Sequence, residues 1–151
     1  MLSIVAVNFD NFIANWHNRS VTLKHNILVL VLQGKVVYTL NGKTVVAEPE
    51  HLLLFPRGTT RAARNDASGP HQKYTISFKY TGDDSDMPFP NYPQYLHIKT
   101  RNFEHLKRRF EQIHREHLEN KRYSKWIALG TLQELLGIVG RETEWSEISP
   151  M

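Results

Sequence analysis

Chemistry needs side chains that can hold a proton, a metal or an anion, and this 151-residue sequence offers eight histidines and no cysteine. Without cysteine there is no disulfide, no thiolate nucleophile and no sulfur-based zinc site. The densest histidine group is His114-Arg115-Glu116-His117, with Glu111 one turn earlier, a trio that could in principle hold zinc. Its spacing is not the His-Glu-x-x-His of a zinc protease, no remote fourth ligand suggests itself, and His117 falls on the apolar seam of its own helix. A structural role is expected there, and no metal ligand and no cofactor is assigned. Nucleophilic catalysis lacks its marks too: there is no Gly-x-Ser-x-Gly elbow and no Gly-rich phosphate loop. Acids in the first part of the chain stand in turns (Asp66, Asp83, Asp84, Asp86) or near Pro49, where solvation is the expected state. These absences argue against an enzyme.

What remains are polar side chains that could line a cavity: Trp16, His17, Arg19, His25, Tyr38, Arg61, Lys73, Thr75 and Ser77. In the run 73–80 the alternation is strict, so Lys73, Thr75, Ser77 and Lys79 share one face while Tyr74, Ile76, Phe78 and Tyr80 share the other. Either the first face meets water or it meets a polar pocket. Arg19 would suit a carboxylate or vicinal hydroxyls because its donors form a rigid fork, and Trp16 or Tyr38 could stack on a sugar-like face.

The elements that would position these residues are mostly strands. From Leu23 to Arg61, three apolar runs are separated by Gly34, by Asn41-Gly42 and by Pro49, each too short for a helix. Asn41-Gly42 predicts a type I′ hairpin, which needs positive φ at both central residues. The spacing predicts an antiparallel meander over 21–55, an opening strand over 3–9, and an irregular segment from Asp10 to Arg19. Residues 27–32 are continuously apolar, as in a strand covered on both faces. A loop is expected over 81–93. Then Asn102 can cap a helix carrying Phe103, Leu106, Phe110, Ile113 and His117 at spacings of three and four. A second helix is expected over 123–139, with Gly140 as its C-cap. Its apolar stripe is wider than one partner helix can cover, so the surplus must meet the β part, a second copy of the protein, or both; Trp126, Leu129, Leu132, Leu136 and Val139 are the expected contacts if it dimerises.

These elements amount to a mainly β fold with C-terminal helices: over 1–95 a sheet covered on both sides, which implies a barrel, a sandwich or helices on one face, and over 96–151 a two-helix linker or dimerisation segment. The net charge of +4 is divided equally between the two parts, so basicity is spread rather than gathered into a nucleic-acid stripe. No apolar run is long enough to span a bilayer, and Met1-Leu2-Ser3-Ile4 lacks the basic opening of a signal peptide. With the absence of cysteine, these features point to the cytoplasm and to no membrane partner.

The order and spacing of several short patterns resemble one family. Arg19, the run 27–32 ending in Gln33-Gly34, Asn41-Gly42-Lys43, Leu52-Leu53-Leu54-Phe55 and Pro56-Arg57-Gly58-Thr59-Thr60-Arg61 resemble the sensor domain of AraC-type transcriptional regulators. The likeness continues through the strand 74–78 and the helix around Leu132-Gln133-Glu134-Leu135-Leu136. It implies a cupin (jelly-roll) β-barrel followed by an antiparallel helix pair. It also implies a homodimer that binds a small-molecule effector, often a carbohydrate. DNA would be met only through a C-terminal domain with two helix-turn-helix units, for which no segment is present up to Met151. Arg19 stands where the arabinose-responsive member has a sugar-contacting arginine, and Lys73 and Thr75 stand where it has a histidine and a tryptophan. Metal-dependent cupins carry His-x-His and Glu ahead of the glycine matching Gly34, and a histidine three residues after the one matching Gly58. Those positions fall here around Val21, Leu23 and Ile27, and on Arg61, so a metal centre is not expected. The alternative reading is a free-standing, metal-independent cupin acting on a carbohydrate, with His17, His25 or His71 as its base.

Overall fold

The structure, a computed structural model, describes residues 1–81 and 94–148. Most of the loop expected over 81–93, with Asp83, Asp84 and Asp86, lies outside the described residues. Among the described residues nine strands precede two helices: β1 Leu2–Asn11, β2 His17–Thr22, β3 Asn26–Gln33, β4 Val36–Leu40, β5 Lys43–Ala47, β6 His51–Phe55, β7 Thr60–Asn65, β8 Gln72–Tyr80, β9 Leu96–Lys99, α1 Phe103–Glu119 and α2 Ser124–Ile148.

The strands do not close into a cupin barrel, which corrects the expectation drawn from the sequence. They form a five-stranded sheet in the order β1-β8-β3-β6-β9 and a four-stranded sheet in the order β2-β7-β4-β5. Two sheets laid face to face bury the same inner side chains without a continuous ladder, so closure is not needed to make the core. That core takes Ile27, Val29 and Val31 from β3, Val36, Tyr38 and Leu40 from β4, Leu53 and Phe55 from β6, and Ala63 from β7. The meander is corrected as well. β3 pairs with β6 and β8, whereas β4 pairs with β5 and β7, so successive strands cross from sheet to sheet. Only β4 and β5 form a tight hairpin, and there Asn41 (φ 51°) and Gly42 (φ 82°) both take the positive φ that the type I′ turn demands.

Gly34 makes the crossing from β3 to β4 feasible. Its φ is +73°, and a Cβ there would lie 2.8 Å from both the Pro70 carbonyl oxygen and the His71 Cα. Only glycine fits. The segment taken from sequence as irregular, residues 10–19, contains the last residues of β1 and the first of β2. Between them Phe12 (φ 55°) and Asn15 (φ 59°) turn the chain through the left-handed region.

The helices follow their seams. Leu106, Phe110 and Ile113 of α1 are buried, as are Ala128, Leu132, Leu135, Leu136 and Val139 of α2, and the two helices pack on one another. They run antiparallel, since His105 and Arg109 meet Glu134 while Glu116 meets Ser124. Asn102 starts α1 but its side chain makes no capping bond. The start is instead held by Glu142, whose carboxylate accepts from the Thr100 hydroxyl (2.8 and 2.9 Å) and the Arg101 N–H (2.8 Å). α2 does not stop at Gly140 as expected. A glycine ends a helix only where the chain must turn left-handed, and here helix-compatible residues follow it, among them the anchored Glu142. His117, expected on the seam, is exposed. Among the described residues no group of three or more metal-ligating side chains converges, and no helix is long and apolar enough to cross a membrane.

Candidate ligand-binding site

The inner face of the β sandwich is apolar at its middle and turns polar where β1, β2, β7 and β8 contribute. There a cavity of about 410 Å³ opens, within the range of small-molecule sites. Its apolar wall is Ile27, Val29, Phe55 and the ring of Tyr38, which meets Phe55 edge-on at 5.0 Å. Its polar wall comes from Asn8 and Asp10 of β1, Asn18 of β2, Arg61 of β7, and Lys73, Thr75 and Ser77 of β8, with Trp16 just ahead of β2.

The alternation of β8 explains the second half of that wall. Tyr74, Ile76 and Phe78 are buried on one face of the five-stranded sheet, so Lys73, Thr75 and Ser77 must point to the other. Lys73 is 2% exposed and is one of the largest fully buried side chains of the protein. Its ammonium donates to Asp10 Oδ2 at 2.9 Å and to His71 Nε2 at 2.6 Å, and stands 3.5 Å over the Trp16 ring. Nδ1 of His71 lies 2.8 Å from Asn65 Oδ1, an acceptor, so His71 carries its proton on Nδ1 and offers Nε2 as an acceptor. Burial, with the Lys73 charge, lowers the His71 pKa to about 4, which keeps the ring neutral. Burial also lowers Lys73 to about 8, against the opposing pull of the Asp10 carboxylate. Asn65 then ties the whole to the loop ahead of β2, donating from Nδ2 to the Ile13 carbonyl at 3.0 Å and from its backbone N–H to that of Trp16 at 3.3 Å. Across the cavity, Arg61 Nη1 donates to Asn18 Oδ1 at 2.8 Å. The Tyr38 phenol is raised well above its ordinary range by burial, so it stays protonated.

Residues 10–136 match the family described as the AraC-like ligand binding domain. The chain belongs to that family. The AraC-like domain also shares its fold with solved structures. An apo ToxT variant from Vibrio cholerae aligns with 91% of this chain and 56% of its own at a TM-score of 0.59 and 8% identity. The protein YhaK from Escherichia coli aligns with 66% of this chain and 44% of its own at 0.52 and 18%. The AraC-like domain thus spans about half the length of ToxT and of YhaK. No curated protein matches it.

Of the side chains singled out from sequence, the structure brings Trp16, Tyr38, Arg61, Lys73, Thr75 and Ser77 to the cavity. His17, Arg19 and His25 do not line it. Trp16, just ahead of β2, and Asn18 of β2 face inward, so His17 and Arg19 fall on the exposed side, and His25 is half-buried in the bend before β3. Sequence reasoning missed Asn8 and Asp10, although Asn8-Phe9-Asp10 carries the period-two signal of a strand with a polar inner face. Of the side chains assigned to a dimer, Leu132, Leu136 and Val139 are already buried within the protomer, Leu129 is partly buried, and Trp126 is 79% exposed.

A second cavity, about 630 Å³, lies in the helix pair and includes Arg101, His105, Glu134, Arg141 and Glu142. Its carboxylates are occupied in fastening the helices: Glu134 faces His105 at 3.2 Å and Arg109 at 3.6 Å, and Glu142 holds Thr100 and Arg101.

Proposed function

We propose that this AraC-like domain is an effector sensor. It takes a small, polar, carbohydrate-like molecule into the sandwich cavity and regulates a helix-turn-helix domain elsewhere in a cytoplasmic parent protein. One observation carries the reading. Ten polar or aromatic side chains from six strands and one loop converge on a cavity of about 410 Å³ inside an otherwise apolar core. A sandwich that needed only stability would fill that volume with aliphatic side chains. Thr75 and Ser77 supply hydroxyls to meet a ligand's own, and Trp16 and Tyr38 supply flat faces. The effector acts only if it binds one arrangement of the parent protein better than another. Thermal-shift screening against neutral sugars, uronic acids and sugar phosphates tests the reading. A hit should raise Tm in the wild type and lose that effect in the Thr75→Val/Ser77→Val double variant. Hits that persist unchanged in the variant would place the site elsewhere.

We propose also that the domain forms a homodimer through α2. Trp126, 79% exposed, and Ile127, 41% exposed, are large apolar side chains that water does not favour, and Leu129, one turn on from Trp126, is partly buried. Sedimentation velocity of the wild type should show a dimer that Trp126→Glu dissociates. A wild-type monomer at high micromolar concentration refutes this part.

A further inference from the structure

The cavity's charges do not cancel. Lys73 is matched by Asp10 at 2.9 Å, and His71 is held neutral by its bonds to Asn65 and Lys73. Arg61 has no such match. Its Nη1 meets only the neutral amide of Asn18, and its Nε is buried and donates to nothing among the described residues. A guanidinium stays charged under all ordinary conditions. The wall therefore carries a net charge of +1, located at a buried donor that faces no acceptor. Leaving a charged donor desolvated and unpaired is costly, and the cost vanishes when an anion supplies the missing acceptor.

We infer that the effector of this cavity is a monoanion whose carboxylate is received by the guanidinium of Arg61, which lines the cavity and has no acid partner among the described residues. The inference rests on the reading that this cavity is the effector site, and it narrows the class from polar molecules to small organic acids, sugar acids among them. A carboxylate fits better than a phosphate dianion for two reasons. One negative charge balances the wall, whereas a second would stand uncompensated in the cavity that already holds Asp10. A planar carboxylate also matches the guanidinium fork in pairs of bonds.

The test follows the Nε–H resonance of Arg61 by ¹⁵N–¹H NMR in the whole chain. Two matched pairs of probes are titrated: acetate against acetamide, and galacturonate against galactose. We expect both acids to move the resonance saturably and neither neutral partner to do so. We expect Arg61→Gln to weaken binding of galacturonate by at least about tenfold. Arg61→Lys, which keeps the charge but not the fork, should fall between. If the arginine variants do not fold, the wild-type titration alone decides, because acetate is small enough to enter any such site. An Arg61 Nε–H unmoved by acetate overturns the inference. If galactose shifts the amides of Thr75 and Ser77 as strongly as galacturonate does, the acid class is wrong and the effector cavity stands. If none of the probes moves any cavity resonance, both readings fall.

Discussion

At the scale of the residue, the feature that organises this domain is a lysine buried deep enough that everything around it must answer for its charge. Asp10 supplies the countercharge, so removing either partner has unequal consequences. Asp10→Ala leaves a buried ammonium with only a neutral imidazole and a ring, and should cost about 3–5 kcal/mol, whereas Lys73→Met removes charge and desolvation together and should cost distinctly less. Denaturant unfolding of the two variants gives the comparison, and equal losses would contradict it. His71 adds a pH dependence whose sign follows from its lowered pKa. Folded, it titrates at about 4; unfolded, near the ordinary imidazole value of 6.5. Between those values the unfolded chain binds the extra proton, so the contribution of His71 is complete above pH 6.5 and is lost as pH falls toward 4. Tm should therefore decline from pH 6.5 to 5, and decline less in His71→Gln, measured by calorimetry at matched ionic strength. The face made by Lys73, Thr75 and Ser77 was legible in the sequence because alternation is a local property. Whether that face met water or a cavity was not, since it depends on which strand of another sheet lies opposite.

At the scale of the element, the same limit separates what could be read from what could not. The Asn41-Gly42 hairpin and most of both helical seams are encoded within a few residues and form as expected, with His117 of α1 and Trp126 of α2 the departures. The division of the strands between two sheets is encoded in pairings such as Val29 with both Leu53 and Thr75, far apart along the chain, and no local pattern announces it. Gly34 shows how a single residue links the two kinds of information. Gly34→Ala would drive a Cβ into the backbone of Pro70 and His71 and strain a positive φ, for an expected loss of about 1–3 kcal/mol. Because the displaced backbone carries His71, the variant should also weaken effector binding at temperatures where it remains folded, as titration calorimetry would show. In the helix pair, Glu142 is 4% exposed and receives two donors from the segment that starts α1. Glu142→Ala leaves the Arg101 N–H and the Thr100 hydroxyl without their acceptor and should cost about 1–3 kcal/mol. Amide exchange should rise first at the N-terminal turn of α1.

At the scale of the molecule, a β sandwich and an antiparallel helix pair are joined in a chain that belongs to the AraC-like ligand binding domains. Arg61 faces the cavity. A guanidinium cannot release a proton to coordinate a cation, so binding here should be independent of metal. Dialysis against a chelator is expected to leave both Tm and effector affinity unchanged, and a drop in either that zinc restores would contradict this.

The ammonium seated over the Trp16 ring has one more consequence. A charge 3.5 Å from an indole shifts and partly quenches its emission, and any guest that draws Lys73 or Asp10 toward itself alters that effect. Trp16 is one of three tryptophans in the chain, so its share is the part of the emission that Trp16→Phe removes. The domain thus carries an optical gauge of its own occupancy, and that share of the light would follow an unlabelled effector into the protein.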